Sequence, residues 1–331
     1  MRILGIESSC DETSAAVVEG VSKVLSCVIA SSRKDFELVG GVIPEEAARR
    51  QQETILPTIE KALRDAGMTL DQVDAIAVTH GPGLLGSLLV GTMTARALAH
   101  LARKPLIPVH HIAGHLASTW LDQEDEPTFP ILTLSVSGGH TELRYRTSVT
   151  EHMLVATTLD DAAGEAFDKG AQMLGLPYPG GPALAKLALS GDPLFHDFPV
   201  PAGDQFSFSG LKTSLKYWLR DHPGDTSVYA SIAASYERAI TEQLVRRTES
   251  TLAKFPDTKE LHIVGGVSAN LALRKSAASL CERESLKLRV PTTLRYCTDN
   301  AAMIAAAAAL ELRSGKHQTK HDWKTSAQLP L

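Results

Sequence analysis

Short hydrophobic runs separated by small polar turns open both halves of the chain. The pattern occurs at residues 2–18, around the polar stretch Glu7–Thr13, and again at residues 131–145, around the turn Ser137–His140. Two apolar runs joined by a short polar turn are typical of a β-hairpin. A third apolar run at residues 24–30 predicts a further strand after the first hairpin. The repetition predicts two related lobes, each opening with a hairpin whose turn offers backbone N–H groups to an anion.

Longer segments with helical periodicity follow each hairpin. They are predicted from residue 44 onward, at 84–103 and 162–174, from 183 onward, and at 211–220, 226–254, 271–284 and 298–313. A predicted strand at 261–264 meets the next helix through Gly265-Gly266, a turn that suits close contact with a nucleotide. The acidic, proline-ended stretch 123–127 is the best linker candidate. We therefore predict an α/β protein with two lobes, residues 1–126 and 127–331, whose last helix returns to the cleft.

Two histidines just after a predicted strand are the clearest candidates for metal chemistry. His111 and His115 lie four residues apart at the start of a helical run, so both side chains project from one face. Two imidazoles at this spacing hold zinc in HExxH proteases, but Ile112 occupies the position of the protease's glutamate base. A hydrogen-bonded structural role is the alternative for the pair, and it is the expected role for His110.

A third ligand is needed to close such a site, and it must come from elsewhere in the chain. Asp299 stands at the start of the last predicted helix, after the strand-like run 288–291, which makes it the candidate. Capping of that helix is the alternative role for Asp299, because aspartate is a common N-cap residue.

Composition narrows the class of protein. The chain has 331 residues, of which 44% are hydrophobic, so it can fill two cores. A formal charge of −5 argues against a general nucleic-acid coat but permits a local basic patch. The four cysteines form no CxxC pair, which fits reduced thiols. Because the N-terminus shows no charged-then-apolar leader and the apolar stretch 301–310 is too short to span a membrane, we expect a cytoplasmic protein.

Eight short motifs, spread from the first turn to the last helix, resemble one family in their order and spacing. They are Glu7-Ser8-Ser9-Cys10-Asp11-Glu12-Thr13, His111-x-x-x-His115, Ser135-Val136-Ser137-Gly138-Gly139-His140-Thr141, Phe167-Asp168-Lys169, Tyr178-Pro179-Gly180-Gly181-Pro182, Phe206-Ser207-Phe208-Ser209-Gly210-Leu211-Lys212-Thr213, Gly265-Gly266-Val267-Ser268-Ala269-Asn270 and Thr298-Asp299-Asn300-Ala301-Ala302-Met303. The chain resembles the bacterial tRNA N6-threonylcarbamoyladenosine transferases (the TsaD family, formerly described as O-sialoglycoprotein endopeptidases) over residues 1 to about 313.

The resemblance implies a fold, a reaction and a set of partners. The fold would be two RNase-H-like lobes of the actin/Hsp70/sugar-kinase (ASKHA) superfold. The reaction would move a threonylcarbamoyl group from threonylcarbamoyl-adenylate to N6 of the adenosine 3′ to the anticodon, in tRNAs that read codons beginning with A, with release of AMP. The implied partners, besides tRNA, are a smaller ASKHA paralogue (TsaB-like) and a small P-loop ATPase (TsaE-like).

The resemblance also implies roles for individual residues. The family's metal ligands correspond to His111, His115 and Asp299, for one divalent ion, Fe²⁺ or Zn²⁺. Its adenylate contacts correspond to the turn residues Ser135, Val136, Ser137, Gly138 and Gly139, and to Asp168, Gly181 and Asn270. Ala185 is a departure, because many members carry there an Asp that touches the ribose. Asp168 is then expected to make the sugar contact alone.

The proton of the attacking amine needs an acceptor, for which Asp11 and Glu12 are the sequence candidates. A phosphotransferase of the same superfold is the alternative activity, since it would share the hairpins without needing the His pair. A non-catalytic scaffold paralogue is a further alternative, but it should lack the His/His/Asp set. A protease of the HExxH type should have a glutamate at position 112, where this chain has Ile112. Both are less favoured by the sequence.

Overall fold

The computed structural model describes residues 1–31, 43–315 and 323–331. Its strands are β1 Arg2–Glu7, β2 Glu12–Glu19, β3 Lys23–Ser31, β4 Ala75–Gly81, β5 Leu106–His110, β6 Ile131–Val136, β7 Thr141–Arg146, β8 His152–Thr157, β9 Glu260–Val264 and β10 Lys287–Arg289. Its helices are α1 Pro44–Asp65, α2 Leu85–Ala102, α3 His111–Ala117, α4 Ala163–Met173, α5 Gly180–Ala188, α6 Ser209–Asp221, α7 Tyr229–Leu252, α8 Leu271–Glu284, α9 Leu294–Cys297 and α10 Ala301–Arg313.

The chain forms two compact units. Unit 1 comprises Met1–Pro127 together with Pro291–Leu331, and unit 2 comprises Thr128–Val290. The predicted second lobe, residues 127–331, therefore differs from the observed grouping over its last stretch. The reason lies in α10, which packs against strands β1, β2 and β4 and against α3 of unit 1.

The two sheets share one topology. In unit 1 the strand order is β3-β2-β1-β4-β5, and in unit 2 it is β8-β7-β6-β9-β10. In each unit the first strand pairs antiparallel with the second and parallel with the fourth. Both predicted hairpins are confirmed, with Glu7 opposite Ser14 and Val136 opposite Thr141 at their turns.

The sheet of unit 1 buries both faces. Alternate β1 residues such as Leu4 and Ile6 join the hydrophobic cluster formed with α1 and α2. Gly5 points to the other face, because successive residues of a strand face opposite sides. There a Cβ on Gly5 would lie 2.2 Å from the Ala301 carbonyl oxygen of α10. Glycine on the strand and alanine on the helix thus let α10 lie close to the sheet, and every residue of α10 from Ala301 to Leu310 is buried.

Several helix boundaries differ from the predictions. Helix α5 begins at Gly180 rather than at residue 183, and α6 begins at Ser209 rather than at residue 211. A 3₁₀ turn at Thr226–Val228 precedes α7, so the predicted long helix starts later. In unit 2 these helices cover a hydrophobic core that includes Phe167, Phe206, Phe208 and Tyr236.

Candidate functional site

The His pair lies where β5 ends and α3 begins. His111 is the first residue of α3 and His115 is one turn later, so both imidazoles project from the same side of this helix. Their ring centroids are 4.7 Å apart, and the two side chains are nearly buried. The helical placement predicted from the spacing is therefore confirmed.

Asp299 reaches the same place from the segment that connects α9 with α10. Its Oδ1 atom lies 3.2 Å from Nε2 of His115 and 3.7 Å from Nε2 of His111. One ligand atom from each of the three residues can be chosen so that all lie within 4.8 Å of one another. This spacing is compatible with a single small cation among a carboxylate oxygen and two imidazole nitrogens.

Capping of α10 does not explain Asp299. The N-cap residue is Asn300, whose side chain accepts a hydrogen bond from the backbone N–H of Met303 at 3.0 Å. The interpretation of Asp299 as a helix cap is thus wrong by one position. Its carboxylate is directed to the two imidazoles instead.

A buried carboxylate behind His111 is a feature that the sequence reasoning missed. Oε2 of Glu7 lies 3.3 Å from Nδ1 of His111 and accepts a hydrogen bond from the Thr79 hydroxyl at 2.5 Å. Oε1 accepts one from the backbone N–H of Ser9 at 2.6 Å. Since the carboxylate can only accept, it favours the tautomer of His111 with a proton on Nδ1 and a lone pair on Nε2, facing Asp299. A charged residue ending an otherwise apolar strand was the available signal.

The electrostatics of this group suit a positive charge. Burial by itself lowers the pKa of His111, but the Asp299 and Glu7 carboxylates outweigh burial and raise it to about 9. Burial raises the pKa of Glu7, but His111 first and the hydrogen bond from Ser9 next lower it, so the pKa of Glu7 lies below its usual value. Nδ1 of His115 has no hydrogen-bond partner within the described ranges. The carboxylates of Glu7 and Asp299 thus favour a positive charge at the two imidazoles, either a proton or a metal ion.

The turn of the first hairpin borders this group. The Ser9 hydroxyl lies 3.2 Å from Nδ1 of His111, and Gln51 donates to the backbone carbonyls of Cys10 and Glu12 at 3.0 and 3.1 Å. Burial first, and the charges of Asp11 and Asp299 next, raise the pKa of the Cys10 thiol. Asp11 and Glu12 are both buried, and Glu12 accepts a hydrogen bond from the Ser31 hydroxyl. Of the two predicted bases, Asp11 therefore lies in the turn, and Glu12 is the first residue of β2, opposite Ser31 of β3.

In unit 2 the predicted adenylate residues gather where two parallel strands end. Ser135 of β6 pairs with Val264 of β9, so the turn after β6 and the Gly265-Gly266 turn after β9 lie at the same edge. The side chain of Val136 belongs to the hydrophobic core, so this residue can offer a ligand only its backbone. The Ser135 hydroxyl is buried and has no hydrogen-bond partner within the described part of the chain.

Glycines at this edge are not explained by protein packing. A Cβ on Gly138, Gly139 or Gly266 would meet no heavy atom within 4 Å among the described residues, apart from chain neighbours. None of the three has a positive φ angle. By contrast, Gly265 has φ of 88° and its Cβ would lie 2.3 Å from the Val136 carbonyl oxygen. Open space above three glycines is what the close approach of a ligand to the main chain requires.

Asp168 and Gly181 contact each other. The backbone N–H of Gly181 at the start of α5 donates to Oδ1 of Asp168 at 3.1 Å. Gly180 must be small, because its Cβ would lie 2.7 Å from Cα of Asp168. The start of α4 lies close to the turn that joins β6 and β7. A Cβ on Gly164 of α4 would lie 2.6 Å from the Ser137 carbonyl oxygen of that turn.

Asn270 already has two side-chain contacts. Its Oδ1 accepts from the backbone N–H of Leu273 and caps α8, and its Nδ2 donates to Oε1 of Glu237 at 2.6 Å. Burial raises the pKa of Glu237, and the hydrogen bond from Asn270 partly opposes that shift. Asn270 is therefore held in one orientation at this edge of unit 2.

One described helix, α2, is long and apolar enough to cross a membrane by length and composition alone. It packs against β4 and α1. Such a helix is weak evidence for a membrane span, because core helices pass the same test.

Comparison with known sequences gives a consistent picture. The family model for TsaD, tRNA N6-adenosine threonylcarbamoyltransferase, matches residues 23–306. A protein of that name from Symbiobacterium thermophilum is 50% identical over 331 residues, covering 98% of this chain and 95% of the relative. Another from Sinorhizobium medicae is 46% identical over 346 residues, covering 100% of this chain and 95% of the relative.

Similar solved structures have different names and low sequence identity. HypF of T. kodakarensis has a TM-score of 0.63 at 15% identity, covering 95% of this chain and 48% of HypF. Component A of the Acidaminococcus fermentans (R)-2-hydroxyglutaryl-CoA dehydratase has a TM-score of 0.56 at 14% identity, covering 93% of this chain and 98% of that one. At this identity the likeness concerns the fold, and it confirms the predicted ASKHA superfold.

Proposed function

The chain belongs to the tRNA N6-adenosine threonylcarbamoyltransferase family, and from that premise we propose the donor, the target base and the residues that act. As a transferase of this family it modifies tRNA. We propose that the donor is threonylcarbamoyl-adenylate and that the acceptor is N6 of the adenosine 3′ to the anticodon, in tRNAs reading codons that begin with A. A C–N bond forms, the bond from the carbamoyl carbon to the phosphate oxygen breaks, and AMP leaves.

The observation that carries the proposal is the convergence of His111, His115 and Asp299 from distant parts of unit 1. Two imidazole nitrogens and one carboxylate oxygen match the donor set of Fe²⁺ and of Zn²⁺ sites, and we propose one such ion as the cofactor. When bound, a divalent ion supplies Lewis acidity that polarises an oxygen of the donor. Glu7 supports this role, because it directs Nε2 of His111 toward Asp299.

We propose that unit 2 binds the adenylate at the edge formed by the two glycine turns. The N–H groups of Gly138 and Gly139 would receive the phosphate, an arrangement supported by the open space above these two glycines. The N–H of Ser137 already donates to the His140 carbonyl at 2.8 Å and holds the turn in shape. Asp168 would bind the ribose, Gly181 would lie beside the sugar and hold the Asp168 carboxylate through its N–H, and Asn270 would face the base.

The attacking amine must lose a proton during the transfer. Asp11 and Glu12 are the proposed acceptors, since both are buried and follow Ser9, whose hydroxyl lies 3.2 Å from Nδ1 of His111.

A surface on unit 1 supports the proposed docking of the smaller paralogue. Leu85, Leu89 and Met93 follow one another at helical spacing along α2, and each is at least 43% exposed. On the adjacent α1, Glu46 and Arg50 form an exposed ion pair of 3.3 Å. Exchanging the two charges (Glu46→Arg with Arg50→Glu) keeps this pair while reversing what a partner meets. We expect a weaker heterodimer with unchanged metal content, and an unchanged elution volume of the mixture at micromolar concentration would contradict this.

Two further expectations complete the proposal. A small P-loop ATPase is the second proposed partner, and the cytoplasm is the proposed location.

The alternative activity, phosphoryl transfer from a nucleotide, shares the fold but gives no role to a His/His/Asp group.

Mass spectrometry of an unmodified anticodon-loop RNA tests the function directly. The RNA is incubated with the protein, threonylcarbamoyl-adenylate and Fe²⁺ or Zn²⁺, with and without the two partner proteins. We expect a mass increase of one threonylcarbamoyl group on the adenosine 3′ to the anticodon, absent with His115→Ala. No increase under any of these conditions, or phosphate release from ATP by the protein alone that survives His115→Ala, would favour the phosphotransferase.

A further inference from the structure

The last described residues of the chain, Trp323–Leu331 (the C-terminal segment), form no helix or strand but are bound tightly to unit 1. The Arg96 guanidinium lies 4.0 Å above the Trp323 ring and donates to its backbone carbonyl at 2.9 Å. The His80 ring meets the same indole edge-on, with 5.5 Å between centroids. An aromatic ring held by a cation and an imidazole is a firm anchor for an irregular segment.

Backbone contacts continue from this anchor. The N–H of Ser326 donates to the His80 carbonyl at 2.9 Å, and the N–H of Gly83 donates to the Ala327 carbonyl at 3.2 Å. The approach is close enough that a Cβ on Gly81 would lie 2.4 Å from the Ser326 carbonyl oxygen. The C-terminal segment therefore follows the end of β4 in one defined register.

The segment ends against His110. The Leu329 carbonyl lies 2.9 Å from Nε2 of His110, and Nδ1 of His110 accepts from the backbone N–H of Ile112 at 3.1 Å. An acceptor at Nδ1 carries no proton, so the proton is on Nε2 and Nε2 donates to the carbonyl. The ring is nearly buried, so both of these bonds form largely out of water. Leu329 thus fixes the tautomer that lets His110 act as a helix cap.

The capped helix is the one that presents the His pair. His110 is the N-cap of α3, which has only 7 residues and begins with His111. So short a helix has little stability of its own and depends on its caps and its packing. A change in the orientation of His110 would move the first turn, where His111 lies between Glu7 and Asp299.

We propose that His110 is a positioning residue for the metal group, held in its working tautomer and orientation by the Leu329 carbonyl of the C-terminal segment. The inference rests on the proposed metal site and extends it to a chain terminus distant in sequence. The segment would act through His110 on the two imidazoles, without touching the ligands.

Cobalt binding tests this without any assay of transfer. Metal is removed with a chelator, and Co²⁺ affinity is then measured by chelator competition together with the visible absorption of the bound ion. Deleting Leu329–Leu331 removes the carbonyl acceptor and leaves the Trp323 anchor and the Ser326 and Ala327 bonds in place. Deleting only Leu331, or replacing Leu329 by Ala, keeps the carbonyl and serves as the matched control.

We expect the three-residue deletion to weaken Co²⁺ binding about tenfold and to alter the absorption bands. Tenfold is the lower end of the roughly 10–100-fold loss of metal affinity seen when a residue that supports a ligand is removed. The controls should match the parent. His110→Asn retains a capping oxygen but is too short to bridge to Leu329, so it should give a similar loss. Combining it with the deletion should add little, because both changes remove one interaction.

Three outcomes separate the inference from its premise. If the deletion binds Co²⁺ as the parent does while His115→Ala does not, the positioning role is overturned and the metal site stands. Additive losses in the double variant also overturn it. If His115→Ala binds Co²⁺ with parental affinity and absorption, the metal site itself fails, and the inference fails with it.

Discussion

Replacing Glu7 by Gln should change the affinity of the metal group without changing its ligands. The Gln oxygen can still accept from the Ser9 N–H, where Oε1 of Glu7 does so at 2.6 Å. The amide nitrogen then occupies the position of Oε2, 3.3 Å from Nδ1 of His111. Because an amide nitrogen only donates, it favours the tautomer of His111 with a lone pair on Nδ1 and a proton on Nε2. That proton would lie on the nitrogen that faces Asp299.

Two effects of opposite sign set the size of the change. Loss of a carboxylate partner behind a ligating histidine typically costs 10–100-fold in affinity, or about 1.4–2.7 kcal/mol. Against this, the parent His111 has a pKa of about 9 and must release a proton before it can bind metal at neutral pH. The variant should have a lower His111 pKa, since one of the two carboxylates that raise it is gone. The loss of metal affinity in Glu7→Gln should therefore be largest above pH 9 and smaller near pH 7.

Both effects, the lost carboxylate partner and the proton that competes with the metal, are measured by the Zn²⁺ affinity at pH 7 and at pH 9.5. The affinity is obtained by competition with a chelator. Glu260→Gln is the matched control, because Glu260 of unit 2 also accepts from a buried imidazole, His262, at 3.1 Å. It should leave metal affinity unchanged at both pH values. Equal affinities of Glu7→Gln and the parent at pH 9.5 would refute the reasoning, since the proton no longer competes there.

Three further predictions concern Asp299, the metal-free protein and tRNA. Asp299→Asn should fold normally and lose metal, whereas Asn300→Ala should keep metal and lose about 1 kcal/mol of unfolding free energy, because Asn300 is the cap. Full metal occupancy in Asp299→Asn would falsify the ligand assignment. In the metal-free protein, a His111 pKa raised from 6.5 to about 9 contributes up to roughly 3 kcal/mol of stability below pH 6.5, lost as pH rises through 9. Urea titrations should show this loss in the parent and not in His111→Ala, and parallel pH profiles would contradict it. Replacing three cationic residues on one edge of α6 by alanine should weaken tRNA binding and flatten its salt dependence, while adenylate binding stays intact. Equal salt slopes of tRNA affinity for the variant and the parent would contradict this. The three cations are Lys212, Lys216 and Arg220.

The structure adjusts the expected size of the tRNA effect. Nζ of Lys212 lies 3.4 Å from Asp161, and Nε of Arg220 lies 2.8 Å from Asp221, so two of the three cations already face carboxylates. Lys216 is exposed. Each phosphate contact contributes about 0.9 unit of slope on double-stranded DNA and about 0.7 unit on single strands. We therefore expect a change closer to one unit than to three, with Lys216→Ala accounting for most of it.

Local patterns were enough for the parts of the fold and the site that depend on local geometry. Both hairpins follow from apolar runs around polar turns, and the joint projection of His111 and His115 follows from their spacing on a helix. The choice of Asp299 relied on its position after a strand-like run, and the structure brings it to the imidazoles. The role of the neighbouring Asn300 was missed, because Asp and Asn are nearly equivalent as helix caps.

Long-range contacts could not be predicted in the same way. Glu7 and His111 are 104 residues apart in sequence, and Leu329 and His110 are 219 apart. No periodicity connects such pairs, since they meet only after β1, β4 and β5 have paired in one sheet. The assignment of Pro291–Leu331 to unit 1 has the same origin, because it depends on how closely α10 packs on Gly5.

The glycines show how the structure separates roles that look alike in sequence. Gly265 and Gly266 are adjacent and both fit a nucleotide-binding turn, yet only Gly265 is required by its own backbone, with a positive φ and a close carbonyl. Gly266, like Gly138 and Gly139, has space around it that a side chain could fill. Alanine at Gly266 should therefore leave the unfolding free energy within about 1 kcal/mol of the parent value, while alanine at Gly265 should destabilise the fold. If the space is reserved for the adenylate, Gly138→Ala and Gly266→Ala should weaken its binding in calorimetry while the thermal midpoint stays unchanged. Parental adenylate affinity in both variants would mean that the edge of the sheet holds no ligand.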